Sequence, residues 1–332
     1  MQNNEPQLLK DATVRISNYL EKENPEEVVE DIFKGLMASQ KQISSRFFYD
    51  DRGSALFEEI TALPEYYPAR TEKSILKKSA PNILDGPNEM DIVEIGSGDC
   101  SKISLLLDAV SPGHLQGVNY FPLDVSSLAI QKSSEMLAQK YPGIQIHGIM
   151  ADFLKHLKFF PARADRLVCF FGSTLGNLER KDAQQFLINV ADLMDPGDHF
   201  LLGLDMVKDR EVLEAAYNDK QGVTAAFNQN ILNGVNQYAG TDFDPDLFDH
   251  YAFYNEVKGR VEMHLMAREN MTITSSRFPS DVSIKKGETI HTENSHKFTH
   301  RHILEFATIT GLRIEEIFSD DHGWFSLVRF VK

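Results

Sequence analysis

Cysteine is nearly absent from this chain of 332 residues: Cys100 and Cys169 are the only two, and their spacing is not that of a metal-binding pair. A disulfide framework is therefore not expected, and two packed thiols in a reducing cytoplasm are. Basic charge is in deficit, 34 residues against 49 acidic ones, for a net charge of −15. A phosphate-backbone partner needs a basic surface, so nucleic acid is not expected as a partner. No apolar run approaches the roughly 20 residues that span a bilayer. The opening "MQNNEPQLLKD" also lacks the charged start and apolar run of a signal peptide. Membrane is thus not an expected partner either, and no internal repeat or low-complexity segment stands out. What is present is a 42% hydrophobic, 25% charged composition, ordinary for a globular protein with a sizeable core. The length suits two moderate domains or one elaborated domain.

Residues 7 to 40 read as helical, with spaced apolar positions Val14, Ile16, Leu20, Val28, Val29, Ile32 and Leu36. The acidic run "EKENPEEVVED" reads as the solvated face of that helix. An aromatic-rich stretch, "FFYDDRGSALFEEITALPEYYPARTE", follows, with Ser54 as a candidate cap for the short helix "ALFEEITAL". From residue 91 strands alternate with helices. "DIVEIGSG", "GVNYFPLDVS", "IQIHGIMADF", "ADRLVCFFGSTLGNL" and "HFLLGLDMV" read as five strands, which implies a parallel, doubly wound α/β sheet. After about residue 206 the rhythm changes to two helices and then longer antiparallel strands. The chain closes with the helix "HRHILEFATITG", stopped by Gly311, and an antiparallel pair expected at the edge of the sheet.

"EIGSGDCSK" lies where a strand gives way to a helix, and Gly96 and Gly98 permit a sharp turn and close approach of a ligand. Ligands of open α/β sheets sit beyond the carboxyl ends of the strands. Asp124 ends the second strand and can accept both ribose hydroxyls of a nucleoside. Asp152 and Phe153 end the third, placed for an adenine amine and ring face. A dinucleotide fold wants GxGxxG so that a helix N-terminus can take the pyrophosphate, and here the third position is Ser101. S-adenosylmethionine (SAM) has no pyrophosphate and needs only the GxG turn, so SAM is the favoured cofactor over a nicotinamide.

"TENSHKFT" puts Glu293 two residues before Ser295, and in a strand such residues face the same side. A solvated edge strand would explain the same letters. His291, His296, His300 and His302 cluster nearby, but their spacings match neither HExxH nor a paired Cys/His finger, so no metal is expected.

Longer blocks carry more. "FYDDRGSALFEEITALPEYYPARTE", "VEIGSGDCSK", "FFGSTLGNL", "LLGLDMVKD", "AAYND", "GVTAAFNQNIL", "VEMHLMAR" and "TENSHKF" occur in this order. Together, from about residue 12 to the C-terminus, the chain resembles the SAM-dependent histidine Nα-methyltransferases that make hercynine in ergothioneine biosynthesis. The resemblance implies a Rossmann-like class I methyltransferase sheet with a second, α+β substrate-binding domain. The expected division is 12–70, 91–206 and 297–332 for SAM, and 71–90 with 207–296 for the substrate. It implies SAM contacts from Tyr49, Gly96, Lys102, Asp124, Asp152 and Phe153. Tyr49 would also stand near the reacting amine as the catalytic residue. Asn177 and Tyr217 would hold the α-carboxylate of L-histidine. Tyr66 and Glu293 would hydrogen-bond the imidazole, with Ser295 in support and Met263 lining the pocket. His264 stands where the family pattern suggests a larger aromatic, and Asp99-Cys100 vary the glycine loop. A cytoplasmic monomer acting on a small molecule is expected. Rival readings are another amino acid such as tryptophan as substrate, or a non-catalytic SAM- or histidine-binding sensor.

Overall fold

Residues 7–8, 14–20, 24–84, 89–157 and 166–332 are described by the structure, a computed structural model. The chain divides into two compact units. The first comprises Met1–Glu21, Thr71–Met206 and Phe298–Lys332; the second comprises Lys22–Arg70 and Val207–Lys297.

The first unit is built on five largely apolar strands. β4 (Met90–Ile95), β5 (Val118–Asp124), β6 (Gln145–Met150), β7 (Arg166–Phe170) and β8 (His199–Asp205) pair in parallel, and every residue of β7 is buried. Strands covered on both faces need no polar alternation. One face packs Val93, Ile95, Val168 and Leu202 against Phe186 and Val190 of α6 (Arg180–Leu193) and Ile303 and Phe306 of α9 (His300–Thr310). The other packs Ile92, Tyr120, Leu167 and Leu201 against Ile75 and Leu76 of α3 (Tyr67–Ile83). Ile103 and Leu106 of α4 (Ser101–Leu107) and Leu137 of α5 (Ser127–Lys140) complete that layer. β14 (Arg313–Ser319) and β15 (Phe325–Val331) join antiparallel beyond β8, as the closing hairpin implies. From β4 the chain moves to β5 and β6 on one side, then returns to β7 and β8 on the other. The carboxyl end of β4 is therefore the switch point where such sheets bind ligands.

Two expectations fail at the N-terminus. Residues 7 to 20 are not helical where described: β1 (Gln7–Leu8) pairs with β2 (Val14–Asn18), and β2 lies parallel to β6. Val14 and Ile16 obey the two-residue period of a strand, and helix begins only at α1 (Pro25–Met37), with Asn24 as its cap. The helix α2 (Asp51–Ala62) is capped by Asp50, whose Oδ1 accepts from the Gly53 N–H at 2.6 Å, not by Ser54.

The second unit holds a four-stranded sheet in the order β3 (Lys41–Gln42), β13 (Thr289–His296), β10 (Arg260–Ala267) and β9 (Phe248–Asn255). α7 (Arg210–Tyr217) and α8 (Val223–Ala239) pack on it, and α1 and α2 pack on α8. Gly234 lets the turn Ser45–Phe48 pack closely on α8, because a Cβ there would meet the Phe47 carbonyl oxygen at 2.7 Å. β11 (Met271–Ile273) and β12 (Val282–Ile284) form a separate ribbon.

The domain boundaries differ from those expected. Residues 22–70 belong with 207–297, because α1, α2 and β3 find their partners in α8 and β13. Residues 71–84 belong with the parallel sheet, because Ile75, Leu76, Ala80 and Ile83 are part of its core. Among the described residues no helix is long and apolar enough to cross a membrane.

Candidate active site

In the first unit the loop after β4 runs through Gly96, Gly98 and Cys100 at φ of 67°, 51° and 55°, a left-handed series that leads into α4. The backbone N–H groups of Gly96 and Ser97 donate to the Leu123 carbonyl at 2.8 and 3.2 Å, and Gly98 N–H donates to Asp124 Oδ2 at 3.0 Å. A Cβ on Gly98 would meet nothing within 4 Å, and one on Gly96 only the Phe170 ring at 4.0 Å. The glycines thus leave open space above the strand ends, a cradle of the kind a nucleoside cofactor occupies.

Asp124, last residue of β5, is half-buried, and its second oxygen accepts from Ser126 N–H at 2.9 Å. Asp152 follows β6 and accepts from Leu154 N–H at 2.9 Å, which fixes the turn that presents Phe153. One side of the Phe153 ring is packed, edge-on to Phe170 at 5.4 Å and to Phe186 at 5.5 Å. Asn177 ends the short turn Thr174–Asn177 that follows β7. Asp124 ends its parallel strand, and Gly96, Asp152 and Asn177 follow the carboxyl ends of theirs, so the sheet itself puts them on one edge.

Lys102 has a partner that the sequence reading misses. Glu72, 0% exposed, lies 2.8 Å from Lys102 Nζ and accepts from the Gly172 N–H at 2.9 Å. Buried acids are held by such pairing and hydrogen bonding. Beneath the loop, Glu94 accepts from Tyr120 Oη at 2.5 Å, and burial pushes its carboxyl up to about 8. Cys100 is buried against the same hydroxyl and is pushed up to about 12, so it is an inert thiol. Cys169 is likewise buried and free.

The second unit carries the aromatic group. Tyr49 follows the turn Ser45–Phe48 and is 48% exposed. Edge-to-face contacts run from Tyr49 to Phe57 at 6.0 Å, from Phe57 to Tyr66 at 6.4 Å, and from Tyr66 to Tyr217 at 6.2 Å. An open hollow of about 270 Å³ beside Tyr49 is lined by Arg46, Asp50 and Tyr238 and includes none of Tyr66, Tyr217 or Glu293. The hollow alone therefore does not mark this group.

On the sheet, Glu293 pairs directly with Met263, and Ser295 with Val261, so Glu293, Ser295 and Met263 share one face. A bulge after Met263 shifts the register so that His264 pairs with His291. His264 therefore lies on the other face, against Phe253 and His291, and does not line the face that carries Glu293. Burial pushes it down to about 4. Glu293 keeps partial solvent contact, yet burial pushes its carboxyl up to about 7, with Lys297 opposing the rise. Tyr217 Oη donates to Ser295 Oγ at 2.7 Å, which joins α7 to this face.

A family model of SAM-dependent, histidine-specific methyltransferases matches residues 28–332. The chain belongs to this family. It is 39% identical over 316 residues to the histidine N-alpha-methyltransferase of Mycolicibacterium smegmatis, covering 95% of this chain and 98% of that one. It is 37% identical over 298 residues to the protein of the same name from Mycobacterium tuberculosis, covering 90% and 92%. A more distant relative is the 4-dimethylallyltryptophan N-methyltransferase of Claviceps purpurea, 27% identical over 308 residues, covering 85% and 87%. Membership in the histidine-specific methyltransferase family makes the chain a SAM-dependent enzyme with a class I methyltransferase sheet. The glycine cradle and the acids at the carboxyl ends of β5 and β6 are consistent with SAM as donor.

Proposed function

We propose that the enzyme transfers three methyl groups from SAM to the α-amine of L-histidine and ends at the betaine hercynine. The observation that carries this is Glu293 in a member of the histidine-specific family. Its half-buried carboxylate shares a face with Ser295 and Met263, and burial alone raises its pKa with no hydrogen bond from a described residue to offset it. An imidazole N–H is a donor that such an acceptor lacks.

In this reading Gly96, Lys102, Asp124, Asp152 and Phe153 hold the cofactor, whose sulfonium supplies an electrophilic methyl. Asp124 accepts the ribose hydroxyls, and Asp152 with Phe153 takes the adenine. Asn177 and Tyr217 hold the α-carboxylate, Tyr66 and Glu293 the imidazole, and Met263 packs against the ring. Held at both ends, the substrate loses the freedom that would otherwise oppose in-line attack, and orientation of this kind supplies much of the rate. Tyr49 turns the lone pair of the neutral amine toward the methyl. The enzyme works in the cytoplasm as a monomer, which size-exclusion chromatography tests.

Mass spectrometry of the protein incubated with SAM and each of the twenty amino acids tests the reading. Methylated histidine, and little else, is the expected product. Preference for tryptophan would move the substrate assignment toward the role named for the Claviceps purpurea relative. Absence of any product would leave a SAM- or histidine-binding protein.

A further inference from the structure

Glu293, Ser295 and Lys297 are spaced two apart, and Lys297 prolongs the line of β13: its backbone N–H donates to the Gly259 carbonyl at 2.9 Å. The two-residue period therefore puts a third polar side chain beside the two already assigned. Lys297 is 2% exposed. Its Nζ donates to Ser295 Oγ at 2.8 Å and to Tyr217 Oη at 3.1 Å, and lies 5.0 Å from the centre of the Tyr217 ring.

Hydroxyl chemistry limits what this cluster can offer. A hydroxyl oxygen has one proton to give and two lone pairs to accept with. Ser295 Oγ accepts from both Lys297 and Tyr217, so its acceptor capacity is filled and its own proton is left to donate. The cluster as a whole presents a positive charge and a donor. That chemistry suits an anion, since negative charge beside a buried ammonium offsets part of its desolvation. Glu293 is one such charge. An amino acid brings another. Its amine must shed a proton before it can attack, and the α-carboxylate is then the uncompensated charge of the substrate.

We propose that Lys297 is a positioning residue for the α-carboxylate of the substrate. It orients the Tyr217 and Ser295 hydroxyls and supplies the counter-charge that makes the enzyme select a free amino acid over its amide. The inference rests on the histidine reading above and adds a selectivity that reading does not contain.

The test compares L-histidine with L-histidinamide, at matched fractions of neutral amine, in the parent enzyme, Lys297→Met and Lys297→Arg. The parent should prefer histidine. In Lys297→Met, kcat/KM for histidine should fall about 10- to 150-fold, the range of a hydrogen bond to a charged group. Histidinamide should change by less than about threefold, because it lacks the charge that Lys297 meets. The preference then collapses, and Lys297→Arg should restore part of it. SAM affinity by calorimetry and the melting temperature report whether the variants are folded. If Lys297→Met does not fold, Lys297→Gln puts the same question with the charge removed and a donor kept. Equal losses on both substrates would reduce Lys297 to packing and overturn the proposal. So would an unchanged histidine rate in the variants, or a parent that methylates both substrates equally well. A parent that methylates neither would sink the histidine reading itself, and this inference with it.

Discussion

Gly98 donates its backbone N–H to Asp124 Oδ2 at 3.0 Å, so the acid proposed for the ribose already anchors the glycine loop. Its other oxygen holds Ser126 N–H at 2.9 Å. Loop shape and cofactor contact therefore depend on one carboxylate. Asp124→Ala should weaken SAM binding about 10- to 150-fold, the scale of lost hydrogen bonds to a charged group. Asp124→Asn, which keeps one acceptor oxygen, should fall between. Calorimetry measures both, and unchanged affinity in Asp124→Ala would remove this residue from the cofactor site.

Much of this cofactor half is legible in the sequence, and for a physical reason. Strands buried on both faces carry consecutive apolar residues, such as "LVCF" in β7, and a ligand turn needs left-handed backbone that Gly96 and Gly98 supply cheaply. The N-terminal segment is less legible. Val14 and Ile16 fit both a strand and the start of a helical pattern, and the parallel partner β6 that decides between them lies far along the chain. The unit boundary is hidden for the same reason, since only long-range packing on α8 places α1 and α2. Glu72 gave no local signal at all. Lys297 did: the alternation that aligns Glu293 with Ser295 reaches it in two more residues.

Glu293 should also be visible in a pH profile. Burial pushes its carboxyl up to about 7, and the ionised form is the stronger acceptor for an imidazole N–H. The α-amine, near 8 in model compounds, must also lose its proton. For histidine, log kcat/KM should therefore fall as pH decreases, and fall more steeply below about 7, because this ratio reports free-enzyme groups. Glu293→Ala should lack the extra steepening. Its kcat/KM at pH 8 should be about ten- to a few hundredfold lower, since a buried donor left unpaired costs about 1–3 kcal/mol. SAM affinity should not change. A variant with the parent's profile and rate would make Glu293 a mere surface charge of the strand.

Glu94 gives a stability signature instead. Its folded pKa, pushed up to about 8 by burial, lies above the ordinary carboxylate value of 4.5. Protonation therefore favours the folded state. The contribution is fully present below about 4.5 and is lost as pH rises through about 8, because the unfolded chain gives up the proton first. Melting temperature should decline across that window, and Glu94→Gln, a neutral side chain that can still accept from Tyr120, should flatten the decline. Glu293 contributes with the same sign, so some slope remains. An equally steep decline in Glu94→Gln would mean that Glu94 is not the group responsible.

The number of methyl groups follows from what the proposed clamps leave free. Asn177 and Tyr217 would fix one end of histidine, and Tyr66 and Glu293 the other, while the amine between them can rotate. Each transfer leaves an ammonium that must lose a proton and turn its new lone pair toward a fresh donor. The first two products still carry a removable proton. The third is quaternary and carries none, so the chemistry ends the series without any residue having to count. Added methyls increase apolar contact, so mono- and dimethylhistidine should bind at least as well as histidine. The rate should climb as pH approaches the α-amino value near 8, because only the neutral amine attacks. A mass-spectrometric time course should pass through the one- and two-methyl species and stop at three, all on the α-nitrogen. A monomethyl end product, or a methyl on the imidazole, would show that the substrate is held the other way round.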